Sequence, residues 1–84
     1  MSDRDQITGR QIAAARALLG MAQADLAQRA RISVPTVRRM EASFGIAGGM
    51  PNNVAAVRAA LEAAGVQFID RNGGDVGVRL ARRD

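Results

Sequence analysis

Two adjacent arginines, Arg38 and Arg39, are the residues of this chain best equipped for specific polar recognition. They lie in Ser33-Val34-Pro35-Thr36-Val37-Arg38-Arg39-Met40-Glu41, which reads as a short helix capped by Ser33 with a proline in its first turn. A guanidinium presents its N–H donors in a rigid plane, so it can grip a phosphate or bond bidentately to O6 and N7 of guanine. On a helical wheel Val34, Pro35, Arg38 and Arg39 share one side, and Thr36, Val37 and Met40 the other. One face is therefore expected to pin the helix to a core. The other offers two apolar tips and, a turn later, two cations. An ordinary solvated helix face is the competing reading of the same pair.

The remaining chemistry is narrow. The chain has no cysteine and no histidine, which excludes disulfides, thiol catalysis and the usual zinc sites. All twelve basic residues are arginine, so lysine Schiff-base chemistry and a phosphate-binding GK[ST] loop are also excluded. The glycines of Gly45–Gly49 read as a loop, not a nucleotide cradle. Asp25, Glu41, Glu62 and Asp70 fall on different elements, so paired acid–base catalysis is not expected. No enzyme activity, metal or cofactor is anticipated. The net charge of +4 permits nucleic-acid binding without establishing it. No apolar run approaches the ~18 residues of a membrane span, and MSDRDQ has no signal pattern, so a cytoplasmic location is the expectation.

Eighty-four residues suit a single domain over 1–84 with one small core, marginally stable alone and helped by dimerisation. The elements that must position the arginines begin at Thr8, whose spacing to Gln11 is that of a capping box, with Ile7 and Ile12 placed as a hydrophobic staple. Helix 1 is expected over about 9–19, stopped by Gly20. Helix 2 follows from Gln23 to Ala30 with Leu26, Ala27 and Ala30 inward. Only Arg31 and Ile32 separate it from the cap of helix 3, which forces a steep crossing. A glycine-rich loop over 42–52 leads to helix 4, expected to begin after Asn52 or Asn53, one of them its cap, and to run to about Ala64 on Val54, Val57 and Leu61. The period then changes: Val66–Phe68 and Val76–Leu80 alternate around an Asn72-Gly73 turn signal, which reads as a β-hairpin.

The stretch GRQIAAARALLGMAQADLAQRARISVPTVRRME resembles the helix-turn-helix domains of the phage-repressor (Cro/C1-type, XRE) family. The matching positions are Arg16, Leu19-Gly20, Gln23, Leu26-Ala27, Ser33, Thr36-Val37 and Met40-Glu41, covering residues 9–41 closely and helix 4 more loosely. The resemblance implies a mainly α fold: a four-helix lambda-repressor-like bundle over 8–64, to which the hairpin at 66–81 is added. It implies double-stranded DNA as partner, bound in the major groove. Val34, Pro35 and Arg39 would face the bases. Gln23, Ser33, Thr36, Arg38 and Asn53 would contact the backbone. Arg16 and Glu41 would form a structural ion pair. Three positions depart from the pattern: Ala22 replaces a capping serine or asparagine, Arg31 a glycine in the left-handed conformation, and Pro35 a hydrogen-bonding base reader.

The hairpin has two readings. It is a lid with Val66, Phe68, Val78 and Leu80 inward, or a dimerisation element using Phe68, Ile69, Val78 and Leu80 through an exposed edge strand. The functional expectation is a sequence-specific transcriptional regulator, a repressor acting as a homodimer on a palindromic operator. The alternative is a protein-interaction module, such as an antitoxin that binds a partner protein and represses its own operon.

Overall fold

A computed structural model describes residues 7–43, 47–48, 50–70 and 74–81. The fold is mainly α: four helices followed by a two-stranded antiparallel hairpin, in the order α1 (Gly9–Leu19), α2 (Gln23–Ala30), α3 (Val34–Glu41), α4 (Pro51–Ala63), β1 (Val66–Ile69), β2 (Gly77–Leu80). The first three helices match their expected bounds. None of the described helices is long and apolar enough to cross a membrane.

The local chemistry explains each boundary. At α1, Gln11 N–H donates to Thr8 Oγ1 at 3.0 Å while Thr8 N–H donates to Gln11 Oε1 at 2.8 Å, completing the capping box. Ile7 and Ile12 are both fully buried, as a staple requires. Gly20 closes the helix at φ 64°, a left-handed conformation in which a Cβ would crowd the following carbonyl. The start of α2 has no side-chain cap, because Ala22 has nothing to offer its free N–H groups. Its other end turns through Arg31 at φ 60°, and Ile32 N–H bonds back to Ala27 O at 3.0 Å. Ser33 Oγ accepts from Thr36 N–H at 3.2 Å and caps α3.

One helix boundary is corrected. Helix α4 starts earlier than anticipated, at Pro51 with Met50 as its cap residue, so Asn52 and Asn53 lie within the first turn and neither is the cap. Proline suits the first helical position because its φ is already helical and its missing N–H would find no partner there anyway. In the hairpin, Val66 pairs with Leu80, Gln67 with Arg79, Phe68 with Val78 and Ile69 with Gly77. The expected Asn72-Gly73 turn lies outside the described residues.

The core draws on every helix and on β1: Ile7, Ile12, Ala15, Leu26, Val37, Met40, Val57, Leu61, Val66 and Phe68 are all buried. Helix α1 is the central element. It packs against α3, α4 and both strands, whereas α3 is held chiefly by α1 and α2. The contact with α3 is close. A Cβ on Gly9 would stand 2.4 Å from Met40 O and 2.7 Å from Ser43 O, so only glycine lets the start of α1 meet the end of α3.

The hairpin is docked by Gln11. Its Nε2 donates to Gly77 O at 2.9 Å and to Ile69 O at 3.3 Å, so both amide protons are used while Oε1 serves the capping box. Arg58 stacks over the Phe68 ring, 5.2 Å to its centroid, and its Nε donates to Glu62 Oε2 at 3.1 Å.

The lid reading needs correction at Leu80, and the dimerisation reading at Phe68. Leu80 shares a face with Val66 yet is 47% exposed, since that end of β2 passes beyond the core. Phe68 is buried in its own chain and has no surface to give to another. Of the four residues considered for dimerisation, Ile69 and Leu80 are exposed and Val78 is half-buried.

Candidate nucleic-acid interface

Helix α3 is amphipathic over its eight residues. Val37 and Met40 are fully buried, while Pro35, Arg38 and Arg39 are exposed. Neither guanidinium has a partner among the described residues. Val34, taken from the wheel as an outward tip, is half-buried and packs against the core, so it gives only part of its surface to solvent. Thr36 is half-buried, and its Oγ1 lies 2.7 Å from Ser33 Oγ, so the two hydroxyls share one hydrogen bond beside the helix cap.

The end of α3 is fixed by a network that spans three helices. Arg16 of α1 forms a bidentate pair with Glu41: Nε donates to Oε2, and Nη2 to Oε1 at 2.9 Å. The remaining Arg16 Nη1 donates to Met21 O at 2.8 Å, tying in the turn before α2. Hydrogen bonding to Glu41 raises the Arg16 pKa above its ordinary value, against a smaller opposing effect of burial. The Glu41 side chain is only 8% exposed, so this pair is a buried one that must remain intact.

Gln23 joins the same network, its Nε2 donating to Glu41 Oε1 at 3.0 Å. A carboxylate can only accept, which sets the amide orientation and leaves one Nε2 proton free for another acceptor. Gln23 opens α2, where the unsatisfied N–H groups of the helix already favour an anion. Asn53 sits half-buried in the first turn of α4.

The Arg16–Glu41 pair is the one the resemblance implies, whereas Met21 O and Gln23 join it without any signal in the sequence. No spacing connects Gln23 to Glu41; they meet only because the α2–α3 turn folds the end of one helix toward the start of the other. The bonds from Gln11 to the hairpin are likewise outside what the capping-box spacing implies. A capping box accounts for Oε1 alone, and a buried amide needs acceptors for its protons as well. That unanswered need was the available signal.

Charge is segregated along the chain. Residues 7–43 carry six arginines against two carboxylates, whereas residues 50–81 carry three of each. Glu41 is consumed by Arg16, so Arg29, Arg31, Arg38 and Arg39 stand exposed around α2 and α3 with Asp25 the sole exposed carboxylate on those helices. Among the described residues, the excess of exposed positive charge lies on α2, α3 and the turn between them and not on α4 or the hairpin. Among the described residues, no group of three or more carboxylates is placed to hold a metal ion. Compared with protein-family models and with curated proteins, the chain matches none of them.

Proposed function

We propose that this chain is a sequence-specific DNA-binding transcriptional regulator of the phage-repressor, helix-turn-helix type, acting as a homodimeric repressor on a palindromic operator. The observation that carries the reading is α3: its inner face is locked into the core while Arg38 and Arg39 stand exposed, without partners among the described residues, in the most arginine-rich part of the chain. An eight-residue helix presented in this way fits a major groove about 12 Å wide. Arg39 reads guanine, Pro35 contacts a thymine methyl, and Val34 contributes only its exposed part. Arg38, Gln23, Ser33, Thr36 and Asn53 meet the phosphate backbone, with Gln23 using the amide proton that Glu41 leaves free.

One such helix reads few base pairs, and two copies supply the affinity that one lacks. Principal extents of 34 × 33 × 20 Å are comparable with the ~34–36 Å half-site repeat of B-DNA, so a copy of this size is compatible with each half-site. The hairpin supplies the contact between copies through an edge strand, with the exposed apolar residues Ile69 and Leu80 on its two opposite faces. Occupying a promoter then blocks transcription sterically. Selection and sequencing of genomic fragments bound by the protein tests this reading. The expected result is an inverted repeat with half-site centres about 10 base pairs apart. Recovery of fragments with no shared sequence would overturn it.

A further inference from the structure

Arg31 is the only described non-glycine residue with a positive φ, at 60°. L-residues avoid this conformation because Cβ crowds the neighbouring carbonyl, and glycine is the residue that adopts it freely. What the fold needs at this position is purely backbone: the Arg31 N–H closes α2 on Ala27 O and Gln28 O, which glycine would do equally well. The side chain is exposed, and the guanidinium has no partner among the described residues. A cation near a helix C-terminus is favourable, but Arg29 already occupies the last turn of α2. A strained backbone that carries a long, idle cation points to a use outside the chain.

The neighbourhood specifies that use. Arg31 lies two residues before Ser33, the cap of the helix whose Arg38 and Arg39 are exposed, within the segment that carries the chain's positive excess. We infer that Arg31 is a phosphate-contacting residue of this interface, gripping the DNA backbone beside the groove that α3 enters. The inference rests on the DNA-binding reading above and adds to it a contact at a position where glycine would be the unstrained choice.

Arg31→Gly removes the cation and the strain together, so fold and binding should respond differently. The thermal midpoint of the variant should equal or exceed that of the parent chain. In fluorescence anisotropy on a labelled duplex between 50 and 200 mM salt, the slope of log K against log salt should become shallower by about 0.9 per bound copy, with affinity about tenfold lower per copy at 0.1 M salt. Arg31→Lys, which keeps the charge, should restore the slope. Unchanged affinity and slope in Arg31→Gly, beside a salt-dependent parent, would overturn the inference and leave the DNA-binding reading standing. A markedly lower melting temperature for Arg31→Gly would make Arg31 a structural residue, which also overturns it. A parent chain that binds no duplex at 50 mM salt would remove both.

Discussion

Single side chains divide this molecule into those that hold α3 and those it displays. Glu41 belongs to the first group. It receives two bonds from Arg16 and one from Gln23 in a setting where its side chain is 8% exposed. Replacing Arg16 with methionine leaves that carboxylate buried without its cation, which should lower stability by about 3–5 kcal/mol. Chemical denaturation checks this, and a loss below about 1 kcal/mol would show the pair to be superficial. Arg39 belongs to the second group. Arg39→Ala should leave the melting temperature within a few degrees of the parent while costing about 1–3 kcal/mol of binding and relaxing preference at one base position. Gln23→Ala should weaken all sequences equally. The reverse pattern, measured by competition among operator variants, would contradict the assignment of bases to α3 and backbone to α2.

At the scale of elements, the packing of α1 decides where everything else stands. Gly9 permits its start to touch the end of α3, and a Cβ there would lie under 3 Å from two backbone carbonyls that have no room to yield. Gly9→Ala should therefore destabilise the fold by about 1–3 kcal/mol, despite the higher helix propensity of alanine. An unchanged melting temperature would show that α3 can shift to accommodate it. The helices themselves were legible in the sequence because their signals are local: Thr8 with Gln11, the αL stop at Gly20, and Ser33 before a proline. The start of α4 was misplaced because asparagine is a good cap by propensity, whereas Pro51 fits the first helical position by geometry and took it. Leu80 was expected inward because alternation fixes which face a residue occupies but not how far the core reaches beneath it. Gly9, Gln11 and Gln23 draw their importance from partners far along the chain, which no periodicity displays.

For the whole molecule, the arginine excess and the exposed apolar residues of the hairpin occupy separate segments. The arginine excess lies in residues 7–43, while Ile69 and Leu80 stand on the hairpin, within residues 50–81, where three arginines meet three carboxylates. Association through the hairpin therefore need not bring the two basic faces together. Removing the hairpin is a poor test of this, since Val66 and Phe68 belong to the core and truncation would damage the fold. The double variant Ile69→Arg, Leu80→Arg changes only exposed positions. It should sediment as a monomer with unaltered circular dichroism, and a persistent dimer would move the interface elsewhere. The proposed function requires the face carrying Arg38 and Arg39 to meet DNA phosphates and bases. Equilibrium binding of the parent chain to a duplex across a salt series decides whether it does. A linear fall of log K with log salt, at about −0.9 for each phosphate neutralised, is the expected result, and no binding to any duplex at 50 mM salt would contradict it.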